Sequence, residues 1–189
     1  MVVKFSKLKA IVAATSLTVL FSVPLQVYAQ ETLDEAGLLA ALSDSDPNEA
    51  IRLDRSLQAL WSSSGSPAMD LLLKRGKDAL DRGETQMAIE HLTALTDHAP
   101  KFAMGWYERA RAYFNAGLYG PAVADLERTL MLNPNDYNAI FALGAMFEQF
   151  NDPKNAYDAY QKAQAIHPHH EAITNALDRL MTAVEGREL

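Results

Sequence analysis

The sequence predicts an all-α fold, an α-solenoid of antiparallel helical hairpins, from two observations. First, Pro100, Pro134 and Pro168 follow one another at an interval of 34 residues. Second, the segments that these prolines close, 69–102, 103–136 and 137–170, carry small and apolar residues at matching offsets. A fixed period of this length is typical of proteins in which each repeat is a pair of helices and neighbouring pairs bury one continuous core.

Seven helices are expected over this region, and local signals support their ends. Pro121 and Pro153 lie in predicted first turns, where the missing amide donor costs nothing. Asn135 or Asp136 is the expected cap of the helix that opens the third segment. The expected ranges are 68–82, 86–98, 102–116, 120–131, 136–150, 153–165 and 170–184.

The middle segment resembles the tetratricopeptide repeat family. The other two segments retain fewer of the family's residues, in the same register. The resemblance implies a solenoid whose first helices line a concave groove, and a function in binding rather than in catalysis. The residues that match the family in the middle segment are Trp106, Tyr113, Gly117, Tyr119, Ala122, Leu126, Leu130, Leu132 and Pro134.

Helix packing within each repeat is expected to rest on small residues. Gly76, Ala110 and Gly144 on the first helices are predicted to face Ala88, Ala122 and Ala156 on the second helices, which lets the two helices approach closely. Trp106 lies four residues before Ala110, on the same helical face, and is assigned to the core. Arg109, where the family prefers an apolar residue, is expected to pair with an acid such as Asp125.

Residues 30–66 also look helical, but they leave the 34-residue register. Asp46, Pro47 and Glu49 form a helix start with a cap, a first-turn proline and a capping-box acid. With 33–42 as its mate, this helix is predicted to form a degenerate hairpin that covers the N-terminal end of the solenoid. Residues 62–67 are read as a loop, with a hinge as the alternative. At the other end, residues 171–189 are expected to form a capping helix and tail.

The first 29 residues predict a secretory signal peptide. Three lysines, Lys4, Lys7 and Lys9, precede an apolar run over 10–23. The run has 14 residues, fewer than the roughly 20 that span a bilayer as a helix. Cleavage is therefore expected between Ala29 and Gln30, with an uncleaved anchor as the alternative, and the predicted location is the bacterial periplasm.

Charge and motifs restrict the function further. Removing the signal leaves 14 Lys and Arg against 24 Asp and Glu, a net charge of −10, which argues against nucleic acid as a partner. No membrane association is expected after cleavage. The sequence has no cysteine and no enzyme motif, so no catalytic residue, cofactor or metal is predicted. The cluster over 167–170, His-Pro-His-His, is read as a polar turn rather than a metal site.

The candidate binding surface is the groove lined by the first helices. The basic members and the three aromatic rings of the set suit an acidic or aromatic-containing peptide or a C-terminal carboxylate. Solvated charges and rings that finish the packing between repeats are the alternative. The set is Lys74, Lys77, Tyr107, Glu108, Arg111, Phe114, Asn138, Phe141 and Arg179.

The groove differs from the carboxylate clamp found in chaperone adaptors of the family that this chain resembles. Leu73, Glu108 and Ala142 stand at clamp positions, so an Hsp70 or Hsp90 tail is not the expected ligand. The predicted function is a non-enzymatic adaptor or scaffold of the periplasm that binds a peptide or protein and serves envelope assembly or maintenance. The alternative is a self-associating assembly protein that forms a homo-oligomer through the ends of the stack, where the final helix is partly apolar and includes Met181 and Val184.

Overall fold

The structure, a computed structural model, describes residues 34–185, with side chains as far as residue 181. All regular secondary structure in that range is helical. The predicted signal peptide and the C-terminal tail lie outside the described residues. The helices are α1 (Glu35–Asp44), α2 (Pro47–Trp61), α3 (Pro67–Asp81), α4 (Thr85–His98), α5 (Ala103–Asn115), α6 (Tyr119–Leu132), α7 (Tyr137–Gln149), α8 (Pro153–Ile166) and α9 (Glu171–Glu185).

The helices from α3 to α9 form the stack that the period predicts. The pairs α3 with α4, α5 with α6 and α7 with α8 pack as hairpins, and each hairpin contacts the next. Every observed end of these helices lies within one residue of the predicted end. This agreement follows from capping and turn chemistry that is local in the sequence.

The turn inside each hairpin repeats the same backbone conformation. Gly83 and Gly117 have φ angles of 73° and 72°, and Asn151, which takes the equivalent place in the third repeat, has a φ of 58°. Glycine adopts this left-handed conformation without steric cost, and asparagine tolerates it better than most residues. The three hairpins therefore turn in the same way although one of them lacks the glycine.

Close helix approach depends on Gly76 and Gly144, as predicted, but the groups that contact them differ from the prediction. A Cβ atom on Gly76 would lie 2.5 Å from Cγ of Leu92, and one on Gly144 would overlap the ring of Tyr160. Leu92 and Tyr160 lie one turn beyond the predicted partners, Ala88 and Ala156. Large side chains of the second helices therefore fill the space that the glycines leave.

Trp106 is only partly buried, so its assignment to the core is wrong. Its ring lies beneath two guanidinium groups, with the Cζ of Arg109 4.7 Å and the Cζ of Arg128 5.8 Å from the ring centroid. The expected pairing of Arg109 with Asp125 is present as two hydrogen bonds of 2.7 and 2.9 Å. A third hydrogen bond, of 2.8 Å, joins Arg109 to Thr96. Polar contacts of Arg109 therefore connect α4, α5 and α6 at a position where the family prefers an apolar residue.

The N-terminal hairpin, α1 with α2, forms but does not lie where it was predicted. Its buried side chains, among them Leu42, Leu53 and Leu57, pack in one cluster with residues of the last three helices instead of covering the N-terminal end. Trp61 at the end of α2 also contacts the cluster around α3 and α4. The members of this buried cluster that belong to the last three helices are Tyr137, Ala156, Tyr160, Ala163, Ile173, Ala176, Leu177 and Leu180.

The hairpin therefore follows the edge of the stack at which α5, α7 and α9 begin. At its C-terminal end, Trp61 lies beside Phe102 and Asp136. At the turn between α1 and α2, the carbonyl of Ser45 lies 2.8 Å from Nε2 of His169. Within residues 34–185 no helix has the length and apolar content needed to cross a membrane.

Candidate functional site

A cavity between α5, α6 and α7, called here the α5–α7 cavity, brings together five of the nine predicted groove residues. Its volume is about 230 Å³. Tyr107 and Phe141 come from positions exactly one period apart, so the repeat itself places both rings at the cavity. Arg111 and Phe114 follow Tyr107 at helical spacing and therefore share its face of α5. The five predicted residues are Tyr107, Arg111, Phe114, Asn138 and Phe141.

Small side chains create the space at the base of the cavity. Ala110, Ala122 and Ala142 contribute only methyl groups, and Leu126 and Met146 supply larger apolar surface. Ala110 and Ala122 are fully buried between α5 and α6. The cavity is therefore mostly apolar and aromatic, and its polar groups come from Arg111, Asn115 and Asn138.

The charge beside the cavity is balanced by Glu108. This carboxylate is only 2% exposed, and it lies 2.5 Å from Nη1 of Arg111 and 3.7 Å from Nζ of Lys77. Burial lowers the pKa of Arg111, but Glu108, together with smaller effects of Tyr107 and Asp81, raises it by more, so the net direction is upward. Glu108 thus holds both cations in place and neutralises part of their charge.

The other two predicted basic residues lie outside the cavity, and each has its own acid. Lys74 Nζ lies 2.6 Å from Oδ2 of Asp78, within α3. Arg179 Nη2 lies 2.6 Å from Oε1 of Glu148, which also accepts a hydrogen bond from the hydroxyl of Tyr160. The predicted basic stripe is therefore divided into separate ion pairs, and the aromatic part of the prediction is the part that converges.

Aromatic surface that the sequence reasoning missed continues from the cavity. The ring of Phe114 lies 5.6 Å from that of Tyr119, which in turn lies 6.1 Å from Phe150. Phe114, Leu118 and Phe150 are all exposed. Tyr119 follows the turn residue Gly117 and Phe150 precedes the turn residue Asn151, so the two rings lie at different positions of the period and the repeat does not identify them. Met146 and Ala145 were also missed, although they follow Phe141 on α7.

Asp136 lies just before α7 and caps this helix, as one of the two residues predicted for that role. Its Oδ1 accepts hydrogen bonds of 3.1 Å from the amides of Asn138 and Ala139. Burial raises the pKa of this carboxyl to about 6, against the lowering effect of those two amides. Burial likewise raises the pKa of Tyr107, so its phenol stays protonated at neutral pH. The phenol of Tyr107 therefore adds no charge to the cavity.

The histidine turn, residues 167–170, packs against the protein as a set of rings. His167 is buried, and its ring lies 5.0 Å from that of Tyr137 and 5.1 Å from that of His170. Among the described residues, no group of His, Asp and Glu side chains has an arrangement that could hold a metal ion.

Comparison with known proteins identifies the family. A family model described as protein kinase G tetratricopeptide repeat matches residues 3–186. The chain belongs to the tetratricopeptide repeat family. This repeat is generally a non-enzymatic fold for protein interaction, which agrees with a site made of apolar and aromatic surface.

Relatives of known sequence share the repeat but differ in length. A TPR repeat-containing protein of Rhizobium etli is 22% identical over 143 residues, which are 76% of this chain and 70% of that protein. A protein SGT1 homolog of Bos taurus is 27% identical over 64% of this chain, but the match spans only 36% of the relative. The match thus spans 70% of the length of one relative and 36% of the length of the other.

Solved structures show the same fold. The Sgt2 TPR domain from Aspergillus fumigatus aligns with a TM-score of 0.61 and 26% identity over 65% of this chain and 83% of that domain. MamA aligns with a TM-score of 0.58 and 24% identity over 82% of this chain and 88% of MamA. The first TPR of Spaghetti (RPAP3), solved with an HSP90 peptide, aligns with a TM-score of 0.59 and 23% identity over 62% of this chain and 93% of that one.

Proposed function

We propose that this protein is a non-enzymatic adaptor of the bacterial periplasm that binds a peptide or partner protein through the α5–α7 cavity. In the cell it would serve envelope assembly or maintenance. The observation that carries the proposal is the convergence of Tyr107, Phe114 and Phe141 on one cavity with a polar edge. Aromatic surface that reaches solvent beside an apolar recess is typical of interaction sites.

The size of the cavity supports a side chain as its occupant. Its volume, about 230 Å³, is below the roughly 300–1,000 Å³ of sites that enclose whole small molecules. An apolar or aromatic side chain of a bound peptide would fill it, while Arg111 and Asn138 at the edge offer N–H donors to the peptide backbone. The fold-level neighbour solved with an HSP90 peptide illustrates that a stack of this architecture can hold a peptide.

The ion pairs support one of the partner chemistries that the sequence suggested. Because Glu108 already neutralises part of the charge of Lys77 and Arg111, an acidic peptide would have to compete with a buried internal carboxylate. An aromatic or aliphatic anchor meets no such competition. We therefore favour a partner with an exposed apolar anchor, and a C-terminal carboxylate is the weaker candidate.

The test is a crosslinking pull-down from periplasm with the mature protein and two variants. Tyr107→Ala/Arg111→Glu removes cavity contacts, and Met131→Ala/Lys162→Glu makes the same pair of changes at exposed positions of second helices. Both variants must first show a cooperative melt. We expect one enriched partner to be lost with the cavity variant and kept with the control. Equal recovery by both variants would contradict the proposal.

Location and self-association are tested separately. The proposed export predicts that the protein from the periplasmic fraction begins at Gln30, which N-terminal sequencing of the purified protein would show. A first residue at Met1 in a membrane fraction would favour the anchor instead. Sedimentation at several concentrations distinguishes the alternative function, because a homo-oligomer that forms through the ends of the stack would gain mass with concentration and would not depend on Tyr107.

A further inference from the structure

The N-terminal hairpin is attached to the rest of the stack through a group of rings and hydrogen bonds around Tyr137. The hydroxyl of Tyr137 donates to Asp54 and accepts a hydrogen bond of 3.0 Å from Gln58, both on α2. Trp61 of the same helix lies 5.5 Å from the Tyr137 ring. The rings of His167 and His170 also lie near that of Tyr137, at 5.0 and 5.9 Å.

Each of the two histidines has one ring nitrogen atom that makes no hydrogen bond to the described part of the chain while the hairpin is docked. The Nδ1 atoms of His167 and His170 are buried and have no hydrogen-bond partner among the residues that the structure describes. Buried polar atoms are nearly always paired in stable folds. Protonation of such a nitrogen atom would therefore bury a charged N–H group that has no acceptor. Protonation is unfavourable while the hairpin is docked, and it becomes favourable when the contact opens.

We propose that His167 and His170 form a proton-operated latch, and that their protonation at mildly acidic pH releases the N-terminal hairpin from α7, α8 and α9. Two imidazolium rings with centroids 5.1 Å apart would repel each other, and His167 is buried while His170 is half-buried. Opening the contact with α2 would hydrate both rings. The covering hairpin would then leave while the stack from α3 to α9 keeps its helices.

The direction of the effect follows from burial. Burial lowers the pKa of both His167 and His170, and for His167 the neighbouring His170 adds to the lowering. The docked form thus binds fewer protons near pH 6 than a form in which the rings are hydrated, so falling pH favours release. Uptake of both protons would change the docking equilibrium by up to roughly a hundredfold per pH unit.

Other charged groups around the turn act in both directions. Asp54 on α2 favours protonated His167 and His170, and its effect is smaller than that of burial, while His169 on the turn disfavours protonated His167. Asp136 on α7, whose pKa is raised partly by Glu35 of α1, takes up a proton more easily in the docked form and so opposes release. The test must therefore isolate the histidines from the carboxyls.

Release of the N-terminal hairpin would also affect the α5–α7 cavity. Phe141 lines that cavity and at the same time packs against the cluster that contains the hairpin. Its ring lies 6.2 Å from that of His170. This link to binding rests on the proposed function, whereas the latch itself does not, and the experiment below measures the latch without any partner.

The chain offers a local reporter, because it contains two tryptophans and Trp61 lies in the contact. In a Trp106→Phe background, we expect Trp61 emission to shift to the red between pH 7.5 and pH 5 while far-UV helicity stays unchanged. The variant His167→Phe/His170→Phe keeps the rings and removes both protonation sites, so its emission should not shift. His98→Asn, at an exposed histidine, is the matched control and should shift like the parent.

Hydrogen exchange of the unmodified protein provides a second measurement that does not need the variants. After correction for the intrinsic pH effect, peptides from 35–61 should exchange faster at pH 5 than at pH 7.5, and peptides from α5 and α6 should not. The latch is overturned if Trp61 keeps its emission until the whole chain unfolds, if the double variant shifts like the parent, or if exchange rises uniformly.

Discussion

Helices α5 and α7 begin at equivalent positions of the 34-residue period but lie in different surroundings. On α5, Arg111 and Phe114 reach solvent at the edge of the α5–α7 cavity. On α7, Tyr137 is fully buried beneath the N-terminal hairpin, while its counterpart on α5, Ala103, is half-buried. The repeat therefore sets the backbone of both helices, and a segment outside the repeat decides which part of their face remains available for binding.

The largest effect should come from breaking the covered region at its centre. Tyr137→Ala removes a fully buried ring and its hydrogen bonds to α2, which should lower the free energy of unfolding by about 3–5 kcal/mol. Phe114→Ala, at a ring that is 40% exposed, should cost about 1 kcal/mol. Urea denaturation of both variants would measure the difference, and equal losses would show that the hairpin does not seal α7.

The open region should be most sensitive to loss of a buried ion pair. Arg109→Ala leaves Asp125 buried without its cation, so the free energy of unfolding should fall by about 3 kcal/mol. The exposed pair of Arg52 with Glu49 is the control, and Arg52→Ala should cost less than about 1 kcal/mol. The double variant Arg109→Met/Asp125→Leu should recover much of the loss. If the single variant Arg109→Ala were as stable as the parent, the ion pair of Arg109 with Asp125 would make no measurable contribution to stability.

A smaller effect distinguishes the two regions through their glycines. A methyl group at Gly144 would overlap the ring of Tyr160, whereas one at Gly105 would lie 3.1 Å from Cγ of Leu95 and would require that side chain to move by only a few tenths of an ångström. Gly144→Ala should therefore cost about 2 kcal/mol, and Gly105→Ala should change stability little because the gain in helix propensity offsets the tight contact. Thermal melts of the two variants provide the measurement. A more stable Gly144→Ala protein would mean that α7 and α8 are farther apart than described.

The smallest predicted effect concerns the turns that both regions share. Gly117→Ala places a Cβ atom on a residue with a φ of 72° and no neighbour within 4 Å, so the cost should be the backbone strain alone, about 1 kcal/mol. Gly120→Ala, with equally open surroundings but no positive φ, should be neutral or slightly stabilising. Matching melts for the two proteins would argue against the left-handed turn.

Much of the fold follows from local sequence signals. Helix ends agree within one residue because prolines, caps and the turn glycines act over a few residues of chain. The convergence of Tyr107 and Phe141 was also accessible, since a period of 34 residues superposes positions on successive first helices. Trp106 was misassigned because the helical period gives its face but not the two arginines that cover its ring.

The place of the hairpin and the charge of the groove could not be predicted in the same way. The hydrogen bonds that dock the hairpin join residues 79, 83 and 124 positions apart in the chain, outside any repeated pattern. The partial neutralisation of charge beside the cavity depends on Glu108 being buried between Lys77 of α3 and Arg111 of α5. The positive charge that the cavity edge offers to a ligand depends on side-chain pairing between helices, which the residue types alone do not show.

The most direct test of the central claim is a position-specific crosslinking map in cells. A photoreactive phenylalanine analogue at Phe114, at the open cavity, is compared with one at Met131, which is exposed at the end of α6. We expect a partner adduct from position 114 and none from position 131. An adduct from position 131 without one from position 114 would contradict the claim that the open face of α5 and α7 binds the partner.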